Sequence, residues 1–256
     1  MTISSKDNEK LKLVRKLADR KHRERERMFV TEGEDLLDAG RAAGYEPSLL
    51  LTRAGEGLGG DEVDAGLLDA TSTLGSGTRA LAVWPLPEAK RPTRRAIAGN
   101  AGRFGAEEEG AEEAEEEALC VYLHGVGDPG NVGSIIRTVG ALADAYVALG
   151  PGCADPFAPK AVRASMGAIF AVPVVRCDAS ETPPPRLSLV AHGGAAEPTA
   201  DVRTICLGSE RDGLPPDVID ASDATWTIPV RPEAVESLGV AAAAAIALGR
   251  IGSRVG

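Results

Sequence analysis

Residues 119–150 read LCVYLHGVGDPGNVGSIIRTVGALADAYVALG. An apolar run, LCVYLHG, meets a glycine-rich turn. Ile135, Ile136, Val139 and Leu142 then recur at helical spacing, and AYVALG returns to an apolar run. A strand, a helix and a strand in so short a stretch form the unit that joins parallel neighbours in a sheet. Both strands are apolar at nearly every position, which predicts burial on both faces.

The same alternation continues to the C-terminus. PFAPKAVRASMGAIF (156–170) predicts a helix with proline in its first turns, and AVPVVRC (171–177) a strand. LSLVAHGG (187–194) and TICLGSE (204–210) are strand-like. LPPDVIDAS (214–222) predicts a short helix, ATWTIPV (224–230) a strand and VESLGVAAAAAIALGRI (235–251) a closing helix. The expectation is an α/β fold with a mostly parallel sheet covered on both faces.

Residues 1–87 predict a separate small α/β unit. Residues 8–27 read as one helix with an apolar stripe at Leu11, Leu13, Val14 and Leu17. MFVTEGEDLLDAGRAAG (28–44) gives a strand and a helix, and EPSLLLTR (46–53) a second strand. DEVDAGLLDATSTLG (61–75) reads as helical, and RALAVWPL (79–86) as a strand. Residues 88–118 change character: a basic, glycine-rich stretch precedes EEEGAEEAEEE (107–117). That composition predicts a linker, and leaves 119–256 as the second domain.

The chain has 256 residues, 43% of them hydrophobic, enough for one large or two small cores. Its longest apolar run, Val240–Leu248, is about half of what a membrane span needs. The first ten residues lack the apolar segment of a signal peptide. A cytoplasmic, non-membrane protein is expected. Cys120, Cys153, Cys177 and Cys206 are far apart and form no CxxC pair, so they read as small buried residues. His22, His124 and His192 have no ligand spacing, so no metal is expected.

The formal charge of −10 conceals an asymmetry. Removing the eight glutamates of 107–117 leaves −2. The first 28 residues hold ten basic side chains: Lys6, Lys10, Lys12, Arg15, Lys16, Arg20, Lys21, Arg23, Arg25 and Arg27. Five acids stand against them. A locally basic helix in an acidic chain points to a polyanion partner, or to a solvated helix with salt-bridging neighbours.

Gly125-Val126-Gly127-Asp128-Pro129-Gly130 is a literal G-x-G-x-x-G between strand and helix. It suggests a nicotinamide-dependent oxidoreductase. Two details oppose that reading. Asp144 lies about 20 residues on but precedes AYVALG, at the wrong end of the strand for a ribose. Pro129 removes an N–H that a phosphate cradle would use.

Three other segments carry more. Asn131–Thr138 (NVGSIIRT) fits N-x-G-x-x-x-R-T, and Leu207–Leu214 (LGSERDGL) fits L-G-S-E-x-x-G-L. Ile228-Pro229-Val230 is followed by Val235–Val240 (VESLGV) and an alanine-rich helix. In this order the three segments resemble the SpoU (TrmH-like) RNA ribose 2′-O-methyltransferases of the SPOUT superfamily. Residues 8–87 more weakly resemble that family's ribosomal-protein-like substrate-binding domain.

The resemblance implies a trefoil-knotted α/β domain, with residues 205–245 threading a loop. It implies S-adenosylmethionine as donor, no metal, a homodimer, and a structured RNA acceptor, ribosomal RNA favoured over transfer RNA. Asn131 matches the active-site asparagine, Arg137 the arginine that activates the ribose hydroxyl, Glu210 the acid of the second motif, and Ser237 the serine near the transferring methyl. Leu207, Gly208, Ile228, Pro229, Ser237 and Leu238 match cofactor-pocket positions. Lys10, Lys12, Arg15, Lys16, Arg20, Lys21, Arg23, Arg25 and Arg27 would contact RNA phosphates. The family reads S-L-N where this chain reads Ser237-Leu238-Gly239. That departure keeps open a noncatalytic RNA-binding module of the same fold. The residues also admit plain structural readings: Asn131 as a helix cap, Arg137 as a surface side chain, Glu210 as a turn residue. Ser165-Met166-Gly167 resembles the family's S-x-G stretch, with close helix packing as its plain alternative. His124, Trp84 and Trp226 read as structural.

Overall fold

A computed structural model describes residues 2–73, 75, 77–88, 91–92, 118–195, 197–198, 201–231 and 238–251. The linker expectation for 88–118 lies largely outside the described residues. So does part of the expected threading of 205–245, at 232–237.

The first domain is built on a four-stranded sheet in the order β1-β4-β2-β3. Its strands are β1 (Met28–Glu32), β2 (Leu49–Arg53), β3 (Asp61–Val63) and β4 (Ala80–Pro85). Its helices are α1 (Glu9–Lys16), α2 (Arg20–Glu26), α3 (Glu34–Ala42) and α4 (Ala65–Thr71). Strand alternation splits β4 between two cores. Leu81 and Val83 pack with Leu11, Val14, Leu17 and Leu68 of α1, α4 and the turn after α1. Ala80, Ala82 and Trp84 turn the other way and join the core of the second domain.

The second domain holds a six-stranded sheet, parallel throughout, in the order β10-β8-β9-β5-β6-β7. Its strands are β5 (Leu119–Leu123), β6 (Ala145–Leu149), β7 (Val174–Arg176), β8 (Arg186–Leu189), β9 (Thr204–Leu207) and β10 (Ala224–Trp226). Helices α5 (Pro129–Leu142), α6 (Pro159–Ala164), α7 (Pro216–Asp220) and α8 (Val240–Ile251) complete it. All five residues of β5 are buried. Leu119, Val121 and Leu123 face the main core. Cys120 and Tyr122 face a smaller core behind it, with Tyr146, Cys206 and Val218. Burial there pushes the thiols of Cys120 and Cys206 up to about 12, which leaves them protonated and inert. All four cysteines are free. No helix among the described residues is long and apolar enough to cross a membrane.

Three local expectations are corrected. Residues 8–27 form two helices, because Asp19 caps a second one by accepting from the Lys21 amide at 2.9 Å. DEV (61–63) is a strand, parallel to β2. Residues 156–170 do not form one helix. α6 stops at Ala164, and Met166 (φ 48°) and Gly167 (φ 92°) turn left-handed before a 3-10 turn at Ala168–Phe170.

The two domains share one core. The Phe170 ring lies 4.9 Å from Trp84, 5.7 Å from Phe29 and 5.6 Å from Tyr45. Aromatic contacts of this kind add roughly 0.5–1.5 kcal/mol each beyond burial. Beside them lies an ion pair, Arg23 Nη2 to Asp155 Oδ2 at 2.6 Å, with both side chains largely buried. Arg23 also donates to the carbonyls of Leu17 and Ala18, both at 2.7 Å, at the frayed end of α1. The expectation that Arg23 contacts RNA is therefore corrected: its guanidinium is spent inside the protein. Arg23→Ala leaves Asp155 without its ion-pair partner, keeping only the Phe157 amide at 2.9 Å among the described residues, and should cost about 3 kcal/mol. Chemical denaturation measures this, and a loss below about 1 kcal/mol would mean that Asp155 is hydrated and not clamped.

Candidate functional site

The sheet reverses its strand order at β5, with β6 on one side and β9 on the other. Ligands of open parallel sheets bind at the carboxyl ends of the strands at such a point. Here those ends are His124-Gly125 after β5 and Gly208–Leu214 after β9.

The loop after β9 is a tight turn. Ser209 and Gly213 exchange backbone hydrogen bonds at 3.2 and 3.1 Å, and the Asp212 amide donates to Ser209 Oγ at 3.0 Å. The turn folds back over Gly208, where a Cβ would stand 2.0 Å from the Gly213 carbonyl carbon. Only glycine fits there. Asn131 Nδ2 donates to Glu210 Oε1 and ties this turn to the first turn of α5. Asn131 is not the helix cap. Asp128 caps α5, accepting from the Asn131 amide at 3.0 Å, which leaves the Asn131 side chain for Glu210. Lys160 Nζ lies 2.6 Å from Asp128 and, with the Asn131 amide, holds that carboxyl below its ordinary range. A lowered folded pKa means that this stabilisation persists at neutral pH and is lost as the pH falls through that value in acid.

Beside the turn opens a cleft of about 440 Å³, a volume suited to a small-molecule ligand. Leu207, Gly208, Glu210, Ile228 and Leu238 line it. Pro229, exposed, is not among its lining residues, because its two neighbours Ile228 and Val230 turn inward instead. Ser237 lies outside the described residues. Leu189, Val190 and His192 also line the cleft. They escape sequence reasoning because nothing in the sequence tells that β8 lies next to β9.

Arg137 is exposed and pairs with no acid among the described residues. It follows Asn131 by six residues, about 9 Å along the axis and roughly 120° around it. The structure thus brings together Asn131, Glu210 and the cleft residues, with Arg137 farther along α5 and outside the cleft lining.

The basic residues of 10–27 divide. Lys10 pairs with Asp61 at 2.5 Å, Lys12 with Glu9 at 2.9 Å, Arg20 with Glu24 at 2.7 Å and Arg25 with Glu26 at 2.5 Å. Arg15 donates to the Lys6 carbonyl at 2.9 Å and to Thr71 Oγ1 at 3.2 Å. Lys16, Lys21 and Arg27 are exposed and make no ion pair with the described residues. Surface pairs are weak and exchange readily for phosphate, so of the nine candidates only Arg23 is withdrawn.

The fingerprint loop has no dinucleotide geometry around it. At the end of β6, a Cβ on Gly150 would stand 2.1 Å from the Tyr122 hydroxyl oxygen, so packed protein fills the place a ribose would take. Asp144 immediately precedes β6, at the opposite end of the strand.

A parallel sheet with a ligand-sized cleft at the carboxyl ends of β8 and β9, bordered by a turn that an asparagine–glutamate tether holds, is an α/β frame suited to a small-molecule cofactor. Residues 118–249 match the SpoU rRNA Methylase family, and residues 8–71 match the MRM3-like substrate binding domain. The chain belongs to the SpoU rRNA methylase family. It is 28% identical to the 23S rRNA (guanosine(2553)-2′-O)-methyltransferase RlmP of Bacillus subtilis, over 95% of this chain and 96% of that protein. A putative RNA methyltransferase of the TrmH family from Porphyromonas gingivalis is 28% identical. It superposes with a TM-score of 0.73 over 98% of this chain and 99% of that one. An AdoMet-bound rRNA methyltransferase from Sinorhizobium meliloti, 24% identical, shares the fold. Its TM-score is 0.74 over 97% of this chain and 95% of that one.

Asn131→Ala removes the tether on the turn after β9. A hydrogen bond to a charged group contributes about 1.5 kcal/mol. Amide exchange at Ser209 and Gly213 should accelerate about tenfold, while β5 and β9 stay protected. Unchanged exchange at Ser209 and Gly213 would show that the turn holds without Asn131.

Proposed function

We propose that this chain methylates a ribose 2′-hydroxyl of structured ribosomal RNA, using S-adenosylmethionine and acting as a homodimer. The observation that carries the reading is the cleft at the carboxyl ends of β8 and β9, bordered by the turn that the Asn131–Glu210 tether holds. The lining fits the donor. Leu207, Ile228 and Leu238 offer an apolar wall for adenine, and Gly208 brings backbone close. Glu210 adds a carboxylate to the lining, which suits a cationic ligand. When bound, S-adenosylmethionine supplies a methyl group on a positively charged sulfur.

The chain's own residues must place the hydroxyl in line with that methyl, so that the oxygen–carbon bond forms as the methyl's bond to sulfur breaks, S-adenosylhomocysteine leaves, and the hydroxyl proton passes through the target phosphate to water. A guanidinium keeps its protons in proteins. Arg137 therefore acts as an organiser, holding the target phosphate in a bidentate contact so that the phosphate assists deprotonation. Glu210 and Asn131 hold the loop that carries the cleft wall. Gly239 replaces the family's asparagine, and a Cβ there would meet no described residue within 4 Å.

Residues 1–87 form the RNA-binding domain, with Lys16, Lys21 and Arg27 the phosphate contacts least engaged inside the protein. Large ribosomal RNA is the favoured acceptor, since the substrate-binding match covers residues 8–71. The homodimer is supported by apolar side chains left in solvent on adjoining helices, Leu142 at the end of α5 and Ile246 on α8.

The test is transfer of radiolabelled methyl from S-adenosylmethionine to unmodified large rRNA, small rRNA and tRNA. Large rRNA should be labelled. Arg137→Ala should keep its fold and donor affinity yet lose at least 100-fold in turnover, the scale of a group acting mainly in the transition state. Gly208→Ala should lose donor binding, read by calorimetry, because the turn over the cleft cannot close. Donor binding without label in any RNA would leave a noncatalytic RNA-binding module. No donor binding would overturn the reading.

A further inference from the structure

Met166 is 54% exposed, the most exposed large apolar side chain among the described residues. It is also one of two non-glycine residues there with positive φ, at 48°. A left-handed methionine is strained. Its neighbours impose the strain. Ser165 is fully buried, and its hydroxyl donates to the Val162 carbonyl at 2.7 Å. The Met166 amide donates to the Arg163 carbonyl at 3.1 Å. Gly167, at φ 92°, lies so close to α3 that a Cβ would stand 2.6 Å from Ala39 Cβ. Three residues on, Phe170 is held by Trp84, Phe29 and Tyr45 of the first domain. The turn is thus clamped between both domains, and the clamp pushes one apolar side chain into water.

The packing of α5 sets this turn level with Arg137. Gly133 of α5 packs on Ala161 and Ala164, its would-be Cβ 2.2 Å from the Ala161 carbonyl oxygen. Gly140 packs on Ala168 and Val172. Arg137 lies one turn after Gly133 and one turn before Gly140 on the same stripe. The segment facing that turn of α5 is therefore 165–167.

We propose that Met166 is a substrate-binding residue, on which the unstacked base of the target nucleotide packs while Arg137 holds its phosphate. This rests on the RNA-methylating reading above. RNA is read through splayed-out bases that seek an apolar face, and a polarisable thioether suits an aromatic ring. Because the first domain clamps the turn, RNA bound there meets Met166 and Arg137 at a set distance.

The test compares the native protein with Met166→Ala, Met166→Gly and Met166→Leu. The probe is transcribed large rRNA, and the readouts are methyl-transfer kinetics, RNA binding by anisotropy with S-adenosylhomocysteine present, Tm and oligomeric state. Met166→Gly relieves the backbone strain, so its Tm should hold or rise. Met166→Ala and Met166→Gly should raise KM and Kd for RNA about tenfold, within the range of one base-stacking contact. Met166→Leu should stay within about threefold of native, and donor affinity should not change. Unchanged RNA affinity in Met166→Gly would overturn the proposal. So would a change in donor affinity or dissociation into monomers, since either would place Met166 in the cleft or the dimer contact. If the native protein transfers no methyl yet these variants weaken RNA binding, the methylation reading fails and the Met166 contact stands. If the native protein binds no RNA, both fail.

Discussion

Every residue of β5 is buried, and β5 is the strand from which the catalytic sheet runs both ways. A parallel strand in that place must feed two cores at once. Leu119, Val121 and Leu123 meet the helices on one side, while Cys120 and Tyr122 fill the layer on the other. The Leu123 carbonyl accepts from the Gly150 amide at 2.8 Å, and the His124 amide donates to the Leu207 carbonyl at 2.9 Å. Strands β6 and β9 are thus registered against β5 at their carboxyl ends, and the turn after β9 borders the cleft. A polar or bulky intrusion into β5 would disturb the cleft from behind.

Around that strand the site is shaped by close backbone approach. Gly133 lets α5 touch α6 at the Ala161 carbonyl, and Gly208 lets the 209–213 turn fold down over the end of β9. Both belong to the motifs by which the chain resembles its family, so part of each motif records packing. Asn131 and Glu210 join two of those motifs: one from the start of α5, the other from the turn after β9, meeting through space. The packing glycines make that meeting reproducible.

The basic N-terminal segment shows how one residue type serves different ends. Arg23 is an internal clamp, buried with Asp155 and closing the end of α1. Lys16, Lys21 and Arg27 stand in solvent. Composition cannot separate them, because burial depends on where α2 lies against the 155–158 loop, 132 residues later than Arg23 in sequence. Phe170, Trp84 and Phe29 make the contact between domains equally nonlocal, and they join the two sheets through one core.

Read alone, the sequence determined the alternation of strands and helices from 119 onward, the parallel sheet, the small domain before it and the three motifs. These are local properties: apolar period, turn residues and short spacings, each written in adjacent residues. It misjudged residues 8–27, where Asp19 caps a second helix locally, and residues 61–63 and 165–167, where an edge strand and a strained turn depend on neighbours elsewhere in the chain. Only the tertiary structure decided that Asn131 reaches Glu210, that Pro229 stays out of the cleft while Leu189 and His192 enter it, and that Arg23 is buried against Asp155. The reason is that strand order and helix rotation arise from packing between distant segments, and no local pattern carries that information.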